Sequence, residues 1–362
     1  MKVIYGVCSW GLGHATRSLP IIRKLIHEEN DVTIISNGRS LQLLQRELGE
    51  TAQYLDIPDY PLLISNNASQ LIAKSLIYWP LFVKRIQAGL AKVTKMVNHG
   101  QYDLIFSDGR YDIYNTKIPS FFISHQIRIM NPLRITFLEW GSELFNKFFF
   151  KRFCGVLVPD NRDNNLSGDL SHNLKIIDEE KLFYVGVLSD FKKKEQVKNI
   201  EYFISLSGPE PQRTLLEKKI FSQITQLRGN IVITLGKTEE QKEVIQDNIQ
   251  IYSFLTKENR EILMNRAKMV ISRSGYSTIM DLAILGTKAL MIPTPGQIEQ
   301  EYLASYLKRQ KIFYSTTQKK LELKKNTERV KKTKGVNQKY SVKKTVENIM
   351  DVITNQKKSP FL

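Results

Sequence analysis

Apolar residues along this chain fall into short dense runs separated by longer stretches in which they recur every three or four positions. Runs at residues 3–8, 31–36, 52–56, 104–107, 120–124 and 155–159 are bounded by turn-forming residues. So are runs at 202–206, 231–235, 250–253, 269–272 and 289–293. Short runs of this length, most of them predominantly apolar, predict the strands of a sheet covered on both faces. Between them lie helical patterns such as Leu19, Ile22, Leu25 and Ile26, which share one face. Strand–helix alternation of this kind predicts a parallel sheet covered on both sides. The series occurs twice, so the expected fold is α/β, with two Rossmann-like parallel-sheet domains facing across a cleft. The hydrophilic stretch from Asp190 to Glu195 precedes a fresh strand and places the boundary after Leu188. The expected division is therefore 1–188, 189–318 and a basic tail, 319–362.

Length and composition agree with two cores, since 362 residues with 42% hydrophobic content exceed what a single core organises. Cys8 and Cys154 lie far apart in apolar runs, which predicts buried free thiols and a reducing compartment. No apolar run approaches the roughly 18 residues of a membrane span, and the first is too short for a signal peptide, so the expected location is cytoplasmic. From Thr316 onward the chain carries 13 Lys and Arg against 4 Asp and Glu, a net of +9 out of the total of +17. The lysine blocks there have too little apolar content to pack alone. A helical patch at Val342, Val346, Ile349 and Val352 is the exception.

The densest chemistry lies in ISRSGYSTIMDLAILGTKALMIPTPGQIEQEY, residues 271–302. A buried run ends in the turn Arg273-Ser274-Gly275, a helix follows with Asp281 inside it, and a second run delivers a loop containing Gln297 and Gln300. Backbone amides at such a helix start bind anions, and a carboxylate accepts hydrogen bonds from two adjacent hydroxyls. The alternative is an ordinary β-α-β unit with a solvated Asp. At the other end of the chain, SWGLGHATR at 9–17 forms a glycine loop between a strand and a helix, with Gly11, Gly13 and His14. As a dinucleotide fingerprint it is incomplete. Thr16 stands where the third glycine belongs and no carboxylate follows the second strand, although Arg39 could meet an NADP phosphate.

These two segments together resemble GT-B glycosyltransferases, in particular family 28, the peptidoglycan N-acetylglucosaminyltransferase type. That resemblance implies a UDP-sugar donor in the second domain: Asp281 on the ribose hydroxyls, Arg273, Ser274 and Gly275 at the diphosphate turn, and Gln297 and Gln300 on the sugar. It places Ser207, Gly208 and Arg213 at a diphosphate loop after the first strand of the second half, and Phe254 against the uracil. Gly13 lies near the diphosphate, and His14 either assists deprotonation of the acceptor or donates a hydrogen bond to the diphosphate. Asp108 and His125, both at C-terminal strand ends, remain alternative bases. The last helix is expected to cross back to the N-terminal, acceptor-side domain.

The resemblance implies inversion at the anomeric carbon, UDP-N-acetylglucosamine as the simplest donor and no metal, since no Asp-x-Asp is present and Asp56-Ile-Pro-Asp59 is not one. Aromatic and cationic residues mix at 78–85 and 144–153, a composition suited to a lipid headgroup interface and to a lipid-linked acceptor on the inner face of the membrane. Buried interdomain packing is the competing account of Phe148, Phe149 and Phe150. A UDP-sugar epimerase or hydrolase would share the fold and donor site. A nucleic-acid-binding role is not expected, because the lysine blocks come without interleaved aromatics or a recognisable motif.

Overall fold

The computed structural model describes residues 1–61, 68–131, 134–237, 242–336 and 339–357, with backbone alone at 68–76 and 357. The chain divides into two compact units, Met1–Asp190 together with Ser341–Leu362, and Phe191–Tyr340. The first contains β1 (Lys2–Val7), α1 (Leu12–His27), β2 (Asp31–Ser36), α2 (Gly38–Leu48), β3 (Gln53–Asp56), α3 (Ala68–Gly100), β4 (Leu104–Asp108), β5 (Ser120–Ile123), α4 (Thr136–Phe150), β6 (Gly155–Val158) and β7 (Leu182–Tyr184). Its strands form one sheet in the order β3-β2-β1-β4-β5-β6-β7, parallel at each pairing. Ile4, Ile35 and Ile105 from three of these strands bury against Val93 of α3 and Ile113. After β1 the chain runs outward through β2 and β3, then returns to place β4 on the other flank of β1. The crevice at the C-terminal ends of β1 and β4 is the switch point at which open α/β sheets bind ligands.

The second unit contains β8 (Ile200–Ser205), α5 (Gln212–Phe221), β9 (Ile231–Thr234), β10 (Glu243–Gln246), β11 (Ile249–Tyr252), α6 (Lys257–Arg266), β12 (Ala267–Ser272), α7 (Tyr276–Leu285), β13 (Lys288–Met291), α8 (Ile298–Arg309), β14 (Tyr314–Ser315) and α9 (Leu323–Lys331). The sheet order is β10-β11-β9-β8-β12-β13-β14, and only β10 runs antiparallel to its neighbour. Here the switch point lies between β8 and β12. Three strands escape the reading of apolar runs: β7, β10 and β14. All are marginal, and β10 (EVIQ) is exposed along its whole length, so the hydrophobic pattern had nothing to report there.

The basic tail is not one segment. Leu321, Leu323 and Val330 enter the core of the second unit beside Leu290 and Ile292, which assigns residues 319–340 to that unit and not to a separate tail. The buried face of α9 is Leu323, Asn326, Thr327 and Val330, a helical i, i+3, i+4, i+7 stripe in which half the positions are polar. Those polar groups are satisfied locally: Thr327 Oγ1 donates to the Leu323 carbonyl at 2.9 Å, and Asn326 Oδ1 accepts from the Glu322 amide at 2.9 Å. The lysines of this stretch point outward.

The last helix, α10 (Val342–Lys357), packs on the first unit. It buries Val346, Ile349 and Ile353, and Asn348 Nδ2 donates to the Val185 carbonyl at 3.0 Å. Residues 358–362 lie outside the described residues.

Ile349 is fully buried, so Ile349→Ala should cost about 2–5 kcal/mol in urea unfolding through lost transfer energy and an unfilled cavity. Replacing the exposed Lys324 and Lys325 with Gln should change stability by less than about 0.5 kcal/mol. Equal, negligible effects would show that α10 adds nothing to the fold.

Candidate active site

In the first unit the chain leaves β1 through residues 8–11 and enters α1. Gly11 caps the helix with φ of 126°, a conformation that side chains disfavour, and a Cβ there would meet open space. His14, Arg17 and Ser18 follow at i, i+3 and i+4 on one face of α1, and that face meets Asp108 at the end of β4. His14 Nδ1 stands 2.7 Å from Asp108 Oδ1; Arg17 Nε and Ser18 Oγ donate to Oδ2 at 2.8 and 2.9 Å, and Arg17 Nη2 also pairs with Oδ1. His125, just beyond β5, places its Nδ1 2.9 Å from Arg17 Nη1. The three candidate bases thus converge on one guanidinium and one carboxylate.

Their surroundings give them different capacities. Asp108 has no exposed surface. Burial opposes its charge, but the Arg17 guanidinium and the His14 imidazole outweigh this and hold the carboxyl well below the ordinary carboxylate range. An ionised, enclosed carboxylate with these donors can orient the histidine beside it. Asp108 can only accept, so its contact with His14 Nδ1 is a hydrogen bond in the tautomer that carries the ring proton on Nδ1, which leaves the Nε2 lone pair unprotonated; Arg17 Nη2 also stands 2.9 Å from Nδ1. The His14 side chain is 24% exposed, so that lone pair belongs to a ring solvent can reach.

The surrounding loops fix this geometry. Gly109 has φ of +71°, and a Cβ there would lie 2.9 Å from His14 Cε1, so glycine makes room for the imidazole. Asp59 accepts from the Ser9 amide at 2.8 Å, and Trp10 Nε1 donates to the Tyr60 carbonyl at 2.9 Å, which ties the glycine loop to residues 59 and 60. Arg17, Ser18 and Gly109 did not emerge from the sequence. The Gly-His-x-x-Arg-Ser spacing was the available signal, since i, i+3 and i+4 share a helix face.

In the second unit the loops after β8, β12 and β13 meet around Arg273. Its side chain is buried and, among the described residues, reaches only carbonyls: Ser207 at 3.3 Å, Ile292 at 3.3 Å, Pro293 at 3.2 Å and Gln212 at 2.9 Å. Burial lowers the guanidinium to about 10, so it stays charged at neutral pH. Arg273 is therefore a brace joining three loops, and its donors are spent on backbone. Ser274 is likewise buried, with Oγ donating to the Gln300 carbonyl at 2.8 Å. Gly208 has φ of +113°; a Cβ there would stand 3.4 Å from Thr294 Oγ1, a buried hydroxyl with no hydrogen-bond partner among the described residues.

Gly275 caps α7 with open space where its Cβ would be, so the amides at that helix start are approachable. Asp281 follows in α7, its side chain 15% exposed and one carboxylate oxygen 4.0 Å from Arg260 Nη2. Gln300 Oε1 accepts from the Thr294 amide at 3.0 Å and its Nε2 donates to Gln297 Oε1, which couples the two glutamines at the start of α8. Phe254 is half-buried in the loop after β11. Arg213 differs from expectation: it pairs with Glu210, stands 3.8 Å from Glu217 and donates to the Leu235 carbonyl at 3.0 Å. Those carboxylates draw it away from the role of a free phosphate cation.

Comparison with known proteins agrees with this geometry. The glycosyltransferase family 28 C-terminal domain matches residues 194–356, and a glycosyl transferase family 1 domain matches residues 1–108. An uncharacterized glycosyltransferase of Methanosarcina acetivorans is 25% identical over 335 residues, covering 85% of this chain and 81% of the relative. A UDP-N-acetylglucosamine--N-acetylmuramyl-(pentapeptide) pyrophosphoryl-undecaprenol N-acetylglucosamine transferase of Methylobacterium sp. is 40% identical over 42 residues, 12% of this chain and 11% of that one. Among solved structures, the glycotransferase of kitacinnamycin superposes with a TM-score of 0.67 at 14% identity, covering 98% of each chain. With two doubly wound sheets and a His–Asp pair at the β1–β4 switch point, the chain is a glycosyltransferase of the GT-B fold that resembles family 28.

Proposed function

We propose that this glycosyltransferase moves a sugar, N-acetylglucosamine or a related hexose, from a UDP-sugar to a lipid-linked acceptor with inversion at the anomeric carbon. The observation that carries the reading is the His14–Asp108 pair, which leaves His14 Nε2 able to take a proton. In the step, Nε2 accepts the proton of the acceptor hydroxyl as its oxygen attacks the anomeric carbon. The carbon–oxygen bond to the diphosphate breaks, UDP departs with the electron pair, and attack opposite the leaving group inverts the centre. Asp108 keeps the imidazole oriented and offsets the charge it acquires.

The donor is assigned to the second unit. Asp281 takes the ribose hydroxyls, Phe254 lies against the uracil, and Gln297 and Gln300 contact the sugar. The amides of Ser207 and Gly208 in the loop after β8, and of Gly275 at the start of α7, meet the charge developing on the diphosphate, and no divalent cation is assigned to that step. The likeness to the Methylobacterium UDP-N-acetylglucosamine transferase favours that donor.

A lipid-linked acceptor is supported by the surface of the first unit. Trp10 in the glycine loop contacts Tyr60 edge-on with centroids 5.2 Å apart, Tyr60 contacts Phe82 at 4.9 Å, and Phe82 stacks on Trp79 at 5.5 Å. That row of rings emerges on α3 and α4, where Trp79, Phe137, Trp140, Leu144 and Phe148 are exposed. Phe149 and Phe150 are buried, so the aromatic segment divides between core and surface. The carboxylates of α4 turn inward, Glu139 to Arg134 and Glu143 to Arg128, leaving Lys84, Arg85 and Lys151 as exposed charge. An apolar face rimmed by cations suits an anionic bilayer surface. Among the described residues no helix is long and apolar enough to cross a membrane.

His14→Ala should lower turnover on the order of 10²-fold or more while the UDP dissociation constant changes far less. Near-normal turnover would remove the base from His14. Asp281→Ala should weaken UDP binding by about 1.5–3 kcal/mol in calorimetry without lowering the melting temperature, the scale for hydrogen bonds to a charged group. In thermal-shift screening UDP should stabilise the protein, whereas stabilisation by NADP alone would contradict a UDP-sugar donor. Vesicles containing anionic lipid should sediment the protein, and Trp79→Ser with Trp140→Ser should release it. Retention by the double variant would move the lipid surface elsewhere.

A further inference from the structure

The loop after β13 is strapped to the start of α8 by its own backbone. The Gln297 amide donates to the Thr294 carbonyl, the Glu301 amide donates to the Gln297 carbonyl, and the Gly296 amide donates to Glu301 Oε1, each at 3.0 Å. The Gln300 carbonyl in turn accepts from the buried Ser274 Oγ at 2.8 Å. Two carboxamides are thereby held side by side, and their polarity follows from one backbone group. A backbone N–H only donates, so Gln300 must turn its oxygen to the Thr294 amide, 3.0 Å away. Its Nε2 then faces Gln297 and donates to Gln297 Oε1. Gln297 is left to present its amino end. Although it directly precedes α8, its side chain makes no capping bond, and among the described residues its Nε2 donates to nothing.

We propose that this pair selects a donor sugar bearing an oxygen that can only accept, the carbonyl of an acylamino group or a carboxylate, to which Gln297 Nε2 donates. The proposal rests on the reading that the donor sugar lies against these glutamines, and adds to it the polarity of the contact. A hydroxyl can donate or accept, so it satisfies a carboxamide in either orientation and gains little from a fixed one. An acyl carbonyl or a carboxylate has no proton to give and pairs only with a donor. With the amide reversed, oxygen would face oxygen and both would lose water without gaining a bond, which is how a polar site rejects the wrong group. The Thr294 amide supplies the fixed reference, and Gln300 acts as a positioning residue that passes it to Gln297. Glutamate at position 300 would invert the pair. One of its oxygens would accept from the Thr294 amide and the other from Gln297 Nε2, so that Gln297 would present its oxygen instead.

Titration calorimetry on the full-length protein tests this without an acceptor or any turnover, using UDP, UDP-glucose, UDP-N-acetylglucosamine and UDP-glucuronate. UDP carries no sugar and serves as the reference for the donor site. The wild-type protein should bind UDP-N-acetylglucosamine or UDP-glucuronate at least about tenfold more tightly than UDP-glucose, and the tighter of the two identifies the oxygen as carbonyl or carboxylate. In Gln300→Glu that preference should shrink on the order of tenfold, toward parity with UDP-glucose. Gln297→Glu, which turns a carboxylate oxygen to the sugar directly, should have the same effect, so the result does not depend on one variant folding. Equal binding of the three UDP-sugars by the wild-type protein would overturn the proposal, and so would a preference that survives in both variants. UDP failing to bind the wild-type protein would refute the donor site itself, whereas UDP bound without discrimination among the sugars would refute the polarity assignment alone.

Discussion

A buried carboxylate organises the N-terminal unit. Asp108 ends a central strand with no exposed surface, a placement that would be prohibitive for an isolated charge. It is sustained because one face of α1 brings Arg17, Ser18 and His14 to it at successive helical positions. The dependence runs both ways: the carboxylate fixes how α1 sits on the β1–β4 switch point, and α1 keeps the carboxylate ionised. Removing the Arg17 partner would leave an uncompensated anion in the core, which costs more than the pair itself contributes. The His14 ring inherits its orientation from the same contacts that hold helix to sheet.

The C-terminal unit meets a related problem with the opposite sign. Arg273 is a buried cation whose hydrogen bonds go to backbone carbonyls of the loops after β8 and β13 and the start of α5. Carbonyl dipoles offset less charge than a carboxylate would, and burial accordingly draws the guanidinium down to about 10. Those contacts gather three loops at the second switch point, where a glycine turn and the start of α7 leave backbone amides open to a ligand. A diphosphate arriving beside these loops would add the negative charge that the carbonyls supply only in part.

Much of this architecture was legible in the sequence because parallel strands buried on both faces read as unbroken apolar runs. The central strands carry such runs, and the observed bounds differ from the expected ones by at most two residues, for instance β12, which begins at Ala267. Edge strands β7, β10 and β14 were illegible because an edge need not be apolar or long. The stripe of α9 was missed because Asn326 and Thr327 occupy half of it, satisfied by local bonds that composition does not reveal. At the sites, residue type located His14, Asp108 and His125 but could not rank them. Their convergence on Arg17 exists only once β4 and β5 lie beside α1. Arg213 and Arg273 looked alike as phosphate cations in the sequence, and only three-dimensional partners separate a residue drawn to carboxylates from one spent on carbonyls.

The central claim is that a uridine diphosphate moiety binds the second unit at the loops after β8, β12 and β13. Hydrogen exchange of the full-length protein, followed by mass spectrometry with and without saturating UDP, tests it without knowledge of the acceptor. The account predicts slowed exchange in peptides covering residues 205–213, 273–282 and 294–301, because bound phosphate and ribose would occupy those amides and tighten the loops around them. Exchange unchanged by UDP across those segments, or protection confined to residues 9–14, would contradict it.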